Sequence, residues 1–119
     1  MTDEVGHEPA RDPQDLERFL VSRERAGDID GMTALYESDA ILDCGNGQLV
    51  AGREAIRAYY ARQVAMGRKF DFGEQRAAII SGDLALTSTR LPDGSVTTEI
   101  ARRQGDGTWL WVIDRFSVT

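Results

Sequence analysis

The sequence has little of what many enzyme classes require. It contains one histidine, His7, in a polar N-terminal stretch, and one cysteine, Cys44. Because the only histidine lies in that stretch, we expect no Ser-His-Asp triad, and too few of the usual ligands remain for a zinc or iron centre. One cysteine cannot form an intramolecular disulfide, so an oxidising compartment is not implied. We expect neither a metal nor an organic cofactor.

Positive charge and long apolar runs are also scarce. Asp and Glu number 20 against 14 Lys and Arg, which gives a net charge of -6. Such a chain repels phosphate backbones and anionic lipid surfaces. No apolar run has the length of a membrane span or the character of a signal peptide. These absences predict a cytoplasmic protein that binds neither nucleic acid nor a membrane.

The 119 residues are enough for one domain with its own hydrophobic core. Residues 1–11 contain little apolar content, so we expect a flexible acidic tail there. Residues 12–119 are then expected to form a single domain.

Apolar residues recur at helical spacing in three segments of the first half. The first helix is predicted to start at Asp12 and to stop at Gly27. Asp28 is placed to cap a second, shorter helix whose apolar positions run to Tyr36. A third helix is predicted over 53–66.

The remaining segments are typical of strands, because short apolar runs are separated by turn-forming residues. Gly45-Asn46-Gly47 is a strong hairpin signal. Helices followed by a long antiparallel meander indicate an α+β domain with the helices packed on one face of the sheet. The predicted strands are 40–44, 48–51, 69–80, 84–91, 95–104 and 109–118.

Three stretches of sequence carry a resemblance to a known family: GDIDGMTALYESDAILDCG at 27–45, AGREAIRAYY at 51–60 and DGTWLWVIDRFSV at 106–118. In these stretches the chain resembles the ketosteroid isomerase and SnoaL-like polyketide cyclase branch of the NTF2-like superfamily. The resemblance implies a cone-shaped, cystatin-like fold with three helices on a curved, mostly antiparallel sheet of about six strands. It also implies a cavity for a hydrophobic small molecule. The matching stretches specify the scaffold rather than a reaction.

Alternation along the last strand separates two faces. One predicted face contains Trp109, Trp111, Ile113 and Arg115, and the other contains Leu110, Val112, Asp114, Phe116 and Val118. Similar folds turn the second register towards the cavity. A carboxyl group walled by apolar neighbours loses hydration, so its pKa rises towards the range of a general base or acid. The alternative is a structural Asp114 that accepts a hydrogen bond from a tyrosine or pairs with an arginine.

Glu99 is the second acidic candidate, on the strand expected to pair with the last one. By the resemblance, it occupies the position where ketosteroid isomerases carry a protonated aspartic acid in the oxyanion hole. The alternative is an exposed carboxylate beside Arg102 or Arg103. Limonene epoxide hydrolases of the same superfamily place an arginine between two carboxylates, whereas this chain has Thr97 there.

The resemblance also shows departures from the isomerase pattern. Cys44 stands at the position of the general-base aspartate, and Asp43, one residue earlier, should face the other side of its strand. Leu20 replaces the oxyanion-hole tyrosine. Tyr36 and Tyr60 match tyrosines that support the oxyanion network. They could equally be core residues whose hydroxyls bond to Asp114 or to each other.

The predicted outer face, with Trp109, Trp111 and the nearby Ile100, is large and apolar and needs cover. Similar proteins cover this face with a second copy, so a homodimer is expected.

Two functions fit these residues. The first is a cofactor-independent isomerase, cyclase or dehydratase that abstracts a proton next to a carbonyl, with Asp114 as base and Glu99 or Tyr60 stabilising the enolate. The second is a non-catalytic module that binds a ligand or forms a dimer. Leu20, Cys44, Leu110, Val112 and Phe116 are expected to line the cavity in either case.

Overall fold

Three helices and eight strands make up the computed structural model, which describes residues 7–45 and 47–118. The helices are α1 Asp15–Arg25, α2 Ile29–Thr33 and α3 Arg53–Ala65. The strands are β1 Tyr36–Gly45, β2 Gln48–Ala51, β3 Glu74–Gln75, β4 Ile79–Ser81, β5 Leu84–Thr87, β6 Thr89–Arg90, β7 Thr98–Arg103 and β8 Trp109–Arg115.

Six strands form the main sheet, in the order β2-β1-β8-β7-β5-β4. Only the β1–β8 pair is parallel, and the remaining pairs of this sheet are antiparallel. Leu16 and Leu20 of α1 and Ile56 and Tyr60 of α3 share one buried cluster with Trp111 of β8. The α+β prediction is therefore confirmed. No helix among the described residues is both long and apolar enough to cross a membrane.

The second helix is shorter than its apolar spacing predicts. Asp28 caps it as expected, because the Gly31 amide donates to Asp28 Oδ1 at 2.9 Å. The helix ends at Thr33, however, and Tyr36 begins β1. Pairing with β8 overrides the helical pattern here, since the Trp111 amide donates to the Leu35 carbonyl at 2.8 Å. Tyr36 therefore projects from a strand into the core.

The long meander strands are also interrupted. The predicted strand 69–80 becomes β3 and β4, and the predicted strand 84–91 divides at Ser88 into β5 and β6. β3 and β6 leave the main sheet and pair with each other. The residue after β3 is bonded to the residue between β5 and β6, because the Arg76 amide donates to the Ser88 carbonyl at 3.0 Å. Because β3 and β6 belong to a separate two-stranded sheet, neither predicted strand is continuous.

The N-terminal segment from His7 onward is attached to the domain, which corrects the predicted flexible tail over 7–11. Ala10 is buried, and its carbonyl accepts from the Trp109 amide at 2.8 Å. His7 Nε2 lies 3.1 Å from Asp28 Oδ2. Residues 1–6, the rest of the predicted tail, lie outside the described residues.

A β-bulge in β8 corrects the predicted faces of the last strand. Ile100 lies opposite Ile113, but its neighbour Ala101 lies opposite Trp111, so Val112 is an extra residue in β8. The bulge resets the alternation, and Trp111 lies on the same buried side as Asp114 three residues later. Sequence alternation alone assumes an unbroken ladder and therefore assigned the tryptophans to the wrong face.

Gly52 is the point where the chain enters α3, and its backbone has φ 87° and ψ 154°, a region that essentially only glycine adopts. We predict that Gly52→Ala lowers the free energy of unfolding by about 1–3 kcal/mol through backbone strain. A Cβ would meet nothing closer than the Ser38 carbonyl at 3.7 Å, so the loss does not come from a clash.

Gly105→Ala is the matched control, measured by urea denaturation. Gly105 has no positive φ and no neighbour within 4 Å of an added Cβ, so its replacement should change stability by less than about 0.5 kcal/mol. Equal losses in the two variants would contradict the strain at Gly52.

Candidate active site

One row of side chains crosses four strands on the helix-covered face of the sheet. Leu42 lies opposite Asp114, Asp114 opposite Glu99, and Glu99 opposite Thr87. All four side chains are buried. Two carboxyl groups are therefore direct cross-strand neighbours at the centre of the sheet, where opposite Cβ atoms are about 5 Å apart.

Asp114 is held by a chain of two tyrosines. The Tyr36 hydroxyl donates to Asp114 Oδ2 at 2.6 Å, and the Tyr36 and Tyr60 hydroxyl oxygens are 2.6 Å apart. Burial and then the nearby Glu99 charge raise the pKa of Asp114 well above its usual value, and the Tyr36 hydrogen bond opposes this rise. Asp114 therefore has a structural hydrogen bond from Tyr36. It also lines the cavity that is described below.

Glu99 receives its hydrogen bonds from threonines. The Thr87 hydroxyl donates to Glu99 Oε1 at 2.7 Å, and Thr97 also bonds to this carboxyl group. Burial raises the pKa of Glu99, whereas both threonine hydrogen bonds favour the ionised form. The residue is 2% exposed.

The alternative position of Glu99 beside Arg102 or Arg103 is therefore wrong. Arg102 pairs with Glu37 at 2.9 Å, and Arg103 pairs with Asp83 at 2.8 Å. Both arginines are exposed, whereas Glu99 points into the protein.

A cavity of about 340 Å3 lies in front of the carboxyl pair, which is within the usual size range of ligand sites. Its wall is mainly apolar. The residues that line it are Glu17, Leu20, Gly45, Phe70, Leu91, Asp93, Ser95, Thr97, Glu99, Asp114, Phe116 and Ser117.

Four of the predicted cavity residues are in this wall, namely Asp114, Glu99, Leu20 and Phe116. Tyr36 and Tyr60 lie behind the wall, fully buried, and support Asp114 from there. Leu110 and Val112 do not line the cavity, because the bulge at Val112 reverses the faces of the sheet on which the preceding β8 residues lie.

Cys44 and Asp43 do not supply a carboxylate or thiolate to this cavity. Cys44 packs against the core, and burial raises the pKa of its thiol, which disfavours a nucleophilic thiolate. Asp43 Oδ2 accepts from Arg115 Nε at 3.0 Å on the opposite face of the sheet. Asp114, and not Asp43, therefore faces the cavity.

Glu17 of α1 is one of several cavity residues that the sequence did not predict. Burial, followed by the charges of Glu99 and Glu24, raises the pKa of Glu17 to about 8. Glu17, Leu20 and Glu24 recur at helical spacing on one side of α1. Two acidic residues on a helix face that also carries a buried leucine are the signal that could have identified it.

Aromatic rings close the side of the cavity. Phe70 and Phe116 stack edge to face with centroids 5.0 Å apart, and Phe70 also contacts Tyr60 at 6.3 Å. The Phe70 amide donates to Glu24 Oε1 at 2.6 Å. Glu24 therefore positions the loop that brings Phe70 over the cavity.

No group of three or more His, Cys, Asp or Glu side chains is arranged to hold a metal ion in the part of the chain that the structure describes. Lys, Arg and His are absent from the cavity wall among these same residues. What the site offers chemically is carboxyl groups of raised pKa beside an apolar surface.

The hydrogen bonds of Tyr36 and Tyr60 lead to a first prediction for this site. Tyr36→Phe removes the donor to a buried carboxyl group and should lower the free energy of unfolding by about 1–3 kcal/mol. Tyr60→Phe removes only the hydroxyl contact to Tyr36, so it should cost about 1 kcal/mol. Urea denaturation of both variants gives the comparison, and a larger loss for Tyr60→Phe would argue against a bond to Asp114.

The raised pKa values predict how stability depends on pH. Because Glu17, Glu99 and Asp114 bind protons more tightly in the folded chain, their contribution to the free energy of unfolding is fully present below the ordinary carboxyl pKa values of 3.8 and 4.5. It should fall as the pH rises from there to about 8, the pKa of Glu17, with a slope of about 1.4 kcal/mol per pH unit for each proton.

Replacing one of these acids tests that dependence. Glu17→Gln should flatten the pH profile of the unfolding free energy by roughly one proton, whereas Glu54→Gln on the exposed side of α3 should leave it unchanged. A profile that Glu17→Gln does not alter would show that Glu17 titrates normally.

Solved structures with the same fold have diverse assignments. A protein of unknown function from Mycobacterium tuberculosis superposes with a TM-score of 0.70 at 18% identity over 86% of this chain. The match spans 66% of that protein, just under two thirds of its length. A protein from Thiobacillus denitrificans, provisionally assigned as a calcium/calmodulin-dependent protein kinase type II association domain, gives 0.72 at 19%, over 92% of this chain and 94% of its own.

A third structure, from Streptomyces avermitilis, is provisionally assigned as a dehydratase of the NTF2-like family. It superposes with a TM-score of 0.69 at 17% identity, over 84% of this chain and 89% of its own. At these identities the likeness concerns the fold alone. No curated protein matches the chain.

The family is given by a sequence match that agrees with the fold. The model of the SnoaL-like domain matches residues 16–119, which include every strand, the carboxyl pair and all three helices except the first residue of α1. The chain therefore belongs to the SnoaL-like domain family.

Proposed function

We propose that this protein is a cofactor-independent acid–base enzyme that acts on a hydrophobic small molecule next to a carbonyl group. One observation carries the proposal: Asp114 and Glu99 lie opposite each other on neighbouring strands, both nearly fully buried, and both line one apolar cavity. Raised pKa values make carboxyl groups in such a position suitable proton donors and acceptors.

The two groups take different roles because they cannot both ionise easily at this separation. Hydroxyl bonds from Thr87 and Thr97 favour the ionised form of Glu99. Asp114, beside that charge, then keeps the shared proton. This assignment makes Glu99 the base and Asp114 the acid, the reverse of the roles expected from the sequence.

In the proposed reaction, Glu99 removes the proton from the carbon next to the carbonyl. The electron pair of the broken C–H bond moves into a new C=C bond, and the carbonyl oxygen gains negative charge. Asp114 donates a hydrogen bond or its proton to that oxygen. In a β,γ-unsaturated ketone, Glu99 returns the proton to the γ carbon as the C=C bond shifts into conjugation, which completes an isomerisation. In a β-hydroxy ketone, the enolate expels hydroxide, which takes the proton from Glu99 and leaves as water, so the result is a dehydration.

Proton exchange tests this step without knowledge of the natural substrate. Incubation of 2-tetralone with the protein in D2O should incorporate deuterium next to the carbonyl faster than buffer alone, as followed by mass spectrometry. Glu99→Gln removes the base and should slow exchange by about 100-fold or more. Asp114→Asn keeps an N–H donor and should slow exchange by about 10- to 100-fold.

Asp43→Asn is the control, because Asp43 is a carboxylate of the adjacent strand that faces the other side of the sheet. Its exchange rate should equal that of the unmodified protein. Exchange that survives in Glu99→Gln and Asp114→Asn at the full rate would rule out the carboxyl pair as the catalytic group.

The alternative is a module that binds its ligand unchanged. The Tyr36 hydrogen bond to Asp114 Oδ2 favours it, because this bond already gives Asp114 a structural role. Saturable binding of 2-tetralone with no deuterium incorporation would support this function over the enzyme.

Location in the cytoplasm stays a prediction from the sequence.

We also propose that the protein is a homodimer that pairs through the outer face of the sheet. The residues of this face differ from those expected, because Trp109 and Trp111 are buried on the inner side. A row of aliphatic side chains, each opposite the next, crosses five strands instead. The row is Ile41, Ile113, Ile100, Leu86 and Ile79.

Four members of this row are at least 38% exposed, and together they form a continuous apolar strip that favours contact with a second copy. Ile113→Lys, at the centre, should convert the dimer to a monomer in size-exclusion chromatography with light scattering. Met66→Lys, at an exposed position just after α3, is the control and should leave the mass unchanged. A monomeric unmodified protein would contradict the proposal.

A further inference from the structure

The ionisable groups around the cavity are all of one kind. Glu17, Asp93, Glu99 and Asp114 are acids, and none of the wall residues in the described chain is basic. Asp93, exposed at the rim, accepts two hydrogen bonds from Ser95, which lower the pKa of its carboxyl group. The entrance is therefore negative, and the interior holds three further carboxyl groups.

Several carboxylates outside the cavity pair with arginine. Five arginine–carboxylate pairs are found among the described residues, and in every one the arginine side chain is about half exposed. These pairs are Arg18–Asp15, Arg57–Asp30, Arg102–Glu37, Arg103–Asp83 and Arg115–Asp43. The acids in the cavity wall have no such counter-ion in the described part of the chain, although 14 basic residues are present in the sequence.

Glu17 is the clearest case. It is partly buried, lines the cavity from α1, and has no hydrogen bond or ion pair with any residue in 7–45 or 47–118. Glu24, two turns along the same helix, accepts from the Phe70 amide. Glu17 thus lacks the structural partner that Glu24 has, and a carboxyl group without a partner beside a cavity has its bonding capacity free for a ligand.

We propose that the cavity selects hydrophobic compounds that carry a protonated amine, and that Glu17 is the residue that recognises this charge. The apolar wall, with Leu20, Phe70 and Phe116, holds the hydrocarbon part. The ammonium group lies between Glu17 and the Glu99–Asp114 pair and supplies the counter-ion that the chain does not provide. Anionic compounds are repelled, and neutral compounds leave Glu17 unpaired.

Binding of a cation has a consequence for protons. A protonated Glu17 donates its proton to solvent when the ammonium group arrives, because the ion pair favours the carboxylate. Affinity for an amine should therefore increase with pH up to about 8, the pKa of Glu17, and then level off while the amine stays charged. Glu99 and Asp114, which also face the ligand, add to the same trend.

The inference concerns the cavity assigned above and rests on the proposed function only in using that site, since it requires binding and no reaction. Three probes with one hydrocarbon frame test it: 2-aminotetralin as cation, 2-tetralol as neutral compound and tetralin-2-carboxylate as anion. Isothermal titration at pH 7.5 should show the amine binding at least about tenfold more tightly than the alcohol, and the carboxylate more weakly than both.

Variants assign the charge recognition to Glu17. In Glu17→Gln the preference for the amine over the alcohol should fall at least about fivefold, with little change for the alcohol. Glu54→Gln, with the same charge change at an exposed position of α3, should retain the preference. Titrations in two buffers of different ionisation enthalpy should show proton release that Glu17→Gln reduces.

Equal binding of amine and alcohol, or no binding by any of the three probes, would overturn the inference. So would a preference that Glu17→Gln and Glu54→Gln change equally, because the effect would then be general electrostatics. The exchange assay with 2-tetralone is a separate readout. Amine selection without exchange would reject the enzyme and keep the inference, and exchange without amine selection would do the opposite.

Discussion

The hydrogen bond from Tyr36 to Asp114 joins the parts of this protein that define its site. Tyr36 begins β1, Asp114 lies near the end of β8, and Tyr60, which contacts the Tyr36 hydroxyl, projects from α3. The bond requires the parallel β1–β8 pairing and the extra residue Val112, which together turn Trp111 and Asp114 to the same side. A buried carboxyl group without that donor would have a high desolvation cost, so the tyrosine chain makes its position tolerable.

The same strip of sheet has two faces with opposite chemistry. On the inner face, the row from Leu42 to Thr87 carries the two carboxyl groups; on the outer face, the residues immediately adjacent in sequence form the aliphatic row from Ile41 to Ile79. Strand alternation links them, so any partner on the outer face lies directly behind the acidic pair. The same strands therefore carry both the proposed catalytic groups and the proposed dimer interface.

Charged groups also differ between the surface and the cavity. Arginines neutralise carboxylates on the outside, where water already screens them and each pair adds little to stability. Inside the cavity, Glu17, Glu99 and Asp114 have no basic neighbour among residues 7–45 and 47–118, and burial raises their pKa values. Protons or a cationic ligand must then balance the site, which makes its charge state responsive to pH and to what enters.

The sequence by itself determined the α+β class, the three helices and the hairpin before α3, because helical spacing, capping and turn chemistry are local properties. It also marked Asp114 and Glu99 as candidates on neighbouring strands, from strand alternation and the family resemblance, but it left a structural Asp114 and an exposed Glu99 open. It could not determine the face of Trp111, because a single bulge reverses alternation and leaves no local signal. Nor could it find Glu17, whose environment is created by β7 and β8 across the cavity. Local periodicity is encoded residue by residue, whereas burial and charge environment depend on which distant elements meet, and only the tertiary structure decides that.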